Sequence, residues 1–220
     1  MTVVLFDLDG TLVDTAYDLG LALNMQLVRH GKPALPHDAI WPVASHGTRG
    51  LLALGFAIDP SDSNYAAMQI EYLDLYQSVF THHPQFMPGI APMLEALDAR
   101  GIKWGIVTNK PRRFSVDLTK AVKLGHQSLY QRSACLLCGD DAPLPKPAPD
   151  TLLMACQVTQ SEPSDCVYVG DAERDVVAGK AAGMKTVLAL FGYIAATDQP
   201  HTWGADVLIN TPNDLLACLP

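Results

Sequence analysis

The sequence of 220 residues contains no run of about 18 apolar residues, the length a membrane span requires. It also lacks any cluster of Lys and Arg interleaved with aromatic residues, and its formal net charge is -8. Without that basic footprint, no nucleic-acid partner and no membrane partner are expected. Cysteines are few and odd in number: Cys135, Cys138, Cys156, Cys166 and Cys218. The opening segment MTVVLFDLDG has no basic flank and sets two aspartates where an export signal needs apolar residues. Free thiols in a cytoplasmic protein are therefore expected in place of a disulfide framework. Cys135 and Cys138 have the spacing of half a zinc site, but no second pair or nearby His completes it, so buried thiols are expected. The seven histidines show no ligand spacing, and His82 and His83 are expected at the surface or at a joint.

What is present is a 49% apolar chain, long enough for one sizeable core or for a core with a smaller inserted domain. Short β-branched runs alternate with longer helical patterns, which predicts an α/β fold with a doubly wound parallel sheet of Rossmann-like type. Strands are expected at Val3 to Phe6, Trp104 to Val107, Ala134 to Cys138, Cys166 to Val169, Thr186 to Leu190 and Val207 to Ile209. Helices are expected over Ile90 to Arg100, Arg112 to Leu124 and Glu173 to Ala182, each stopped by a following Gly. From about Ala16 to about Pro84 the alternation stops. There Leu19, Leu21, Leu23 and Leu27, then Met68, Ile70, Leu73 and Leu75, give helical spacing, with Pro-containing joints at Lys32 to Pro36 and His83 to Gly89. The expected organisation is a core of residues 1–15 and 85–220, interrupted by a helical insertion of residues 16–84. The tail Thr211 to Pro220 is expected to form a last short helix.

Four segments at or beyond strand carboxyl ends carry the chemistry, and ligand sites of doubly wound sheets lie there. The first is Asp7-Leu8-Asp9-Gly10-Thr11. A turn begun at Gly10 would let both carboxylates face one pocket. One Asp could attack phosphorus if a metal offset the charge repulsion, and the other could protonate a leaving alcohol and later deprotonate water. The second, Thr108-Asn109-Lys110-Pro111, offers a hydroxyl and backbone N–H groups to an anion at a helix start. In the third, Lys146 sits between Pro145 and Pro147, and its charge could neutralise a nucleophile and a phosphoryl group. The fourth, Gly170-Asp171-Ala172-Glu173-Arg174-Asp175, could complete an oxygen shell for a hard cation such as Mg2+. Taken singly, each has an ordinary explanation as a cap, a turn or a surface ion pair. The four together do not share one.

These four segments resemble the motifs of the haloacid dehalogenase (HAD) superfamily, over essentially the whole chain. The resemblance implies Asp7 as nucleophile and metal ligand, and Asp9 as acid/base that also lends its carbonyl to Mg2+. It implies Thr108 and Asn109 as phosphate holders, Lys146 as charge stabiliser, Asp171 as the last metal ligand and Asp175 as a supporting acid. The insertion after the first motif matches the all-helical type 1 cap of that superfamily. Asp9-Gly10-Thr11-Leu12-Val13-Asp14 with Val107 to Pro111 is similar to phosphoglycolate phosphatases. Ser45-His46-Gly47-Thr48-Arg49, Phe56 to Pro60, Gly192-Tyr193-Ile194 and Trp203 to Asp206 are similar to N-acetylmuramic acid 6-phosphate phosphatases. Both substrates carry a carboxylate, for which Arg49 is the fork-shaped partner, with His46 beside it as a second substrate-binding candidate.

The implied function is Mg2+-dependent hydrolysis of a small phosphorylated metabolite through a phosphoaspartyl intermediate, by a monomer or homodimer. Alternatives are a sugar phosphomutase of the same fold and a non-catalytic binding module descended from it. A dehalogenase attacking carbon would need neither Mg2+ nor a second acid. A binding module would be expected to lose one of Asp7, Asp9, Lys146 or Asp171, and none is lost.

Overall fold

A computed structural model describes residues 2–219. Met1 and Pro220, which close the expected core segments and tail, lie outside the described residues. All six expected strands are present: β1 (Val3–Phe6), β2 (Lys103–Val107), β3 (Leu136–Leu137), β4 (Cys166–Gly170), β5 (Lys185–Ala189) and β6 (Val207–Ile209). They form one parallel sheet in the order β6-β5-β4-β1-β2-β3. In β1, Val4 and Phe6 join the apolar cluster on one face while Val3 and Leu5 join the cluster on the other. With both faces covered, the strand needs no polar alternation, and this explains its unbroken apolar run.

The longer helices are α1 (Ala16–Arg29), α2 (Gly47–Phe56), α3 (Tyr65–Val79), α4 (Ile90–Ala99), α5 (Arg112–Ala121), α6 (Asp150–Thr159) and α7 (Glu173–Ala181). Residues of α4 and α5, such as Leu94, Leu97 and Leu118, lie in the cluster of Val4 and Phe6, and residues of α6 and α7, such as Leu152 and Ala178, lie in that of Val3 and Leu5. No described helix is long and apolar enough to cross a membrane.

The segment expected to be helical is so. The chain leaves the sheet through Val13–Asp14 and returns through Gln85–Phe86, and these two pairs of residues are joined antiparallel. Between them Leu19, Leu23 and Leu27 of α1 recur at four-residue spacing and are buried, while Val28 faces out. Helix α3 packs along α1 and is pinned there by polar contacts, two of them to backbone carbonyls. Gln26 Nε2 donates to the Met68 carbonyl at 2.9 Å, and Tyr72 Oη donates to that of Leu19 at 3.1 Å.

Several expected boundaries shift. Helix α5 ends at Ala121, because Val122 is extended and Lys123–Leu124 pairs antiparallel with Gln127–Ser128 around Gly125. The strand expected over Ala134 to Cys138 pairs only at Leu136–Leu137 on the sheet edge. Helix α6 was not expected, since its apolar residues lie all round: Leu152 and Ala155 are buried while Leu153 and Val158 are exposed. Ile70 of α3, expected on the apolar face, is 62% exposed.

Candidate active site

The sheet reverses its winding at β1, whose neighbours β2 and β4 run away on opposite sides. This is the switch point where doubly wound sheets hold ligands, and the first, second and fourth segments leave the carboxyl ends of β1, β2 and β4 there. Asp7 continues β1 by donating its N–H to the Val169 carbonyl at 2.9 Å. The chain then turns tightly: Leu12 and Val13 donate to the Leu8 carbonyl, and Gly10 adopts φ +79. Any Cβ at Gly10 would lie 2.3 Å from Asp171 Oδ2, so the glycine serves close approach as well as the turn.

Asp7, Lys146, Asp171 and Asp175 are all buried. Lys146 Nζ donates to Asp175 Oδ1 at 2.7 Å, Tyr168 Oη at 2.6 Å and the Val107 carbonyl at 3.1 Å. It also lies 3.0 Å from Asp7 Oδ1. Its three protons are directed elsewhere, so the Asp7 contact is an ion pair without hydrogen-bond alignment, and Asp7 Oδ1 has no hydrogen-bond donor among the described residues. Burial alone would lower the Lys146 pKa, but Asp175 and Asp7 more than offset it and raise it. Burial raises that of Asp7 against the pull of Lys146. For Asp175 burial is outweighed by Lys146 and Arg174, which hold it below the usual carboxylate range.

Asp171 accepts the Tyr193 backbone N–H at 2.8 Å and the Ser45 hydroxyl at 3.0 Å. Burial, then repulsion from Asp175 and Asp7, pushes its pKa up to about 7. Oxygens of Asp7, Asp171 and Asp175 lie within 4.8 Å of one another. Three carboxylates thus face two cations, Lys146 and Arg174, and one Asp7 oxygen among them accepts no hydrogen bond from the described residues. A hard divalent cation fits this oxygen donor set. Asp175 is already committed to Lys146 and to the Ala172 N–H, so Asp7 and Asp171 are the carboxylates that could ligate the divalent cation. The Asp9 carboxylate is not part of the cluster.

Asp9 faces a cavity of about 460 Å³, whose lining includes Asp7, His46, Arg49, Thr108, Asn109 and Arg174. Its Oδ1 accepts from Thr15 Oγ1 at 2.6 Å and from Lys110 Nζ at 3.0 Å. Thr108 is buried at the cavity wall, and its Oγ1 accepts the Lys110 N–H at 3.1 Å. Asn109, expected to hold phosphate, spends both ends of its amide on the Lys146 backbone, accepting from N at 2.9 Å and donating to O at 2.8 Å. It ties the second segment to the third. Arg49 and His46 lie at the cavity wall and are exposed. Desolvation of the partly sheltered ring and the Arg174 charge lower the His46 pKa.

Three residues with no assigned role in the sequence reading belong to this site. Lys110 holds Asp9. Arg174, named above only as part of the fourth segment, is half-buried, lines the cavity and donates from Nη2 to the Ser45 carbonyl and, at 3.1 Å, to its hydroxyl. Tyr193 caps the start of α1, its Oη accepting from the N–H groups of Thr15 and Ala16 and donating to Asp14. A Cβ at neighbouring Gly192 would lie 2.2 Å from that of Asp171, so the Gly-Tyr pair cradles this acid. The Gly-Tyr dipeptide was visible in the sequence, but only as a likeness.

The family model of haloacid dehalogenase-like hydrolases matches residues 4–189. The chain belongs to this family. It is 38% identical to the N-acetylmuramic acid 6-phosphate phosphatase of Pseudomonas putida, covering 96% of this chain and 93% of that one. It is 41% identical to the phosphoglycolate phosphatase of Xanthomonas campestris pv. campestris, again over 96% of this chain and 93% of the relative. The fold matches that of a haloacid dehalogenase-like hydrolase from Streptococcus pneumoniae with a TM-score of 0.82, at 22% identity over 99% of this chain and 98% of that one.

Proposed function

We propose that this HAD-family chain is a phosphomonoesterase that forms a phosphoaspartyl intermediate on Asp7, with Mg2+ held by Asp7, Asp171 and the Asp9 carbonyl. The observation that carries this reading is the buried Asp7 carboxylate, one oxygen of which lacks a hydrogen-bond donor beside Lys146 and Asp171. Bound Mg2+ would offset the repulsion between Asp7 and the phosphoryl group. Asp7 attacks phosphorus and the bond to the substrate oxygen breaks. Asp9 gives its proton to the departing alkoxide, then takes one from the water that attacks the acyl phosphate and frees Asp7 and inorganic phosphate. Lys146 keeps the nucleophile ionised and balances the transferring charge, Thr108 holds a phosphoryl oxygen, and Asp175 with Asn109 holds Lys146 in place.

Residues 16–84 act as the cap, joined to the core by the Val13–Asp14 and Gln85–Phe86 pair. Arg49 and His46 on that cap read the substrate beyond its phosphate. The names of the relatives support a small phosphorylated acid, N-acetylmuramic acid 6-phosphate or 2-phosphoglycolate. A cavity of about 460 Å³ suits the sugar acid better than the two-carbon one. The test is phosphate release from both compounds and from hexose phosphates, with and without Mg2+ and with no bisphosphate primer. Mg2+-dependent turnover favouring the sugar acid supports the proposal. Turnover of hexose phosphates only after priming would assign a mutase, and no release from any compound would favour a binding module.

A further inference from the structure

Lys110 is a buried lysine that the chemistry above does not use. Its side chain is 6% exposed, yet Nζ reaches Asp9 Oδ1 at 3.0 Å and Tyr76 Oη at 2.7 Å, and it lies 4.7 Å from the centre of the Tyr76 ring. The three contacts tie together parts of the chain that are far apart in sequence: Asp9 after β1, Lys110 after β2 and Tyr76 on α3. Thr15 donates to the same Asp9 oxygen at 2.6 Å. Oδ1 therefore carries two donors, while Oδ2 accepts from none among the described residues. A carboxyl group with one oxygen saturated in this way has a fixed plane, and its other oxygen is left to carry the transferable proton.

We infer that Lys110 is a positioning residue for proton transfer: it clamps Asp9 Oδ1 so that Oδ2 faces the leaving oxygen, and Tyr76 makes that clamp depend on α3 lying against the core. The inference rests on Asp9 being the acid of the proposed reaction. Two features of Lys110 favour this over phosphate binding. Its amine is directed to Asp9 and Tyr76, not to Asp7. It is also held by a cap residue, so the clamp is complete only with α3 in the position seen here. In the step it serves, the ester P–O bond breaks, its electrons go to the substrate oxygen, and the proton on Asp9 Oδ2 neutralises that oxygen. Lys110 gains and loses nothing.

The test compares an alkyl phosphate, whose alkoxide needs that proton, with p-nitrophenyl phosphate, whose phenolate leaves without it. Turnover of both by the Mg2+-loaded protein is measured for wild type, Asp9→Asn, Lys110→Met and Tyr76→Phe. Lys110→Met is expected to lose at least about tenfold more kcat/KM, which reports the step that expels the alcohol, on the alkyl phosphate than on p-nitrophenyl phosphate. Tyr76→Phe, which removes one hydroxyl and keeps the ring, is expected to show the same selectivity with a smaller loss. Equal losses of kcat/KM on both substrates would overturn the inference and make Lys110 a structural or phosphate-binding residue. Should Lys110→Met fail to fold, Tyr76→Phe decides by the same criterion. Asp9→Asn separates the two levels: if it too shows no leaving-group selectivity, the acid assignment itself fails, whereas selectivity in Asp9→Asn without any in the other variants rejects only the clamp.

Discussion

On one side of the cavity, Asp7, Lys146, Asp171 and Asp175 are exposed by 4% or less, and apart from Ser45 the groups that bond them come from the sheet and its loops. On the other, Asp9 is 18% exposed and its partner Lys110 leans on Tyr76 of the helical segment. The nucleophile side draws on the core for all but the Ser45 contact, while on the acid side the cation itself is held by the insertion. Where charges are buried, losing one partner strands the others; where they are part-exposed, water can substitute.

Substitutions can break or sharpen this contrast. Asp7→Asn should have the largest effect, a loss of at least about a thousandfold in kcat with the fold retained, read by phosphate release and by circular dichroism. Lys146→Met should cost activity and also about 3 to 5 kcal/mol of stability in denaturant unfolding, because it strands Asp7 and Asp175 in a buried site. If its unfolding midpoint matched that of wild type, the buried ion network would not be structural.

Asp171 sharpens the comparison through pH. Its pKa in the folded chain is pushed up to about 7, above an ordinary value of 3.8. The folded, metal-free protein therefore keeps a proton that the unfolded chain releases, so this group favours folding below about pH 4 and loses that contribution as pH rises to 7. Without metal, Asp171→Asn should gain stability relative to wild type over that window and hold the gain above it. A gap that stayed constant from pH 4 to 8 would count against the burial argument. Arg49→Ala should have the smallest effect on the fold, within about 0.5 kcal/mol of wild type, while raising KM for carboxylated substrates several-fold and leaving p-nitrophenyl phosphate unaffected.

The nucleophile side was also the more legible in sequence, for a physical reason. Strand runs such as Val3 to Phe6 and the acids directly after them are adjacent along the chain, so β1 with Asp7 and β4 with Asp171 read together as units. The acid side depends on contacts between residues far apart in sequence. Nothing in the spacing of Tyr76 or Lys110 announces that α3 brings one onto the other, and Arg174 resembles any helix-start cation until Ser45 is seen against it. Helix α6 is not legible in the sequence because its outward face is apolar too, at Leu153 and Val158. Asn109 is expected from sequence to hold phosphate, and its bonds to Lys146 cannot be read from two residues 37 positions apart.

Covalent capture at Asp7 tests the central claim most directly. Turnover in the presence of Mg2+ is quenched in acid and treated with borohydride, which reduces an acyl phosphate to an alcohol. Peptide mass analysis should then find homoserine at position 7 only in samples that held substrate. Steady phosphate release with Asp7 unmodified, or reduction at Asp9 or Asp171 instead, would contradict the assignment of Asp7 as the nucleophile.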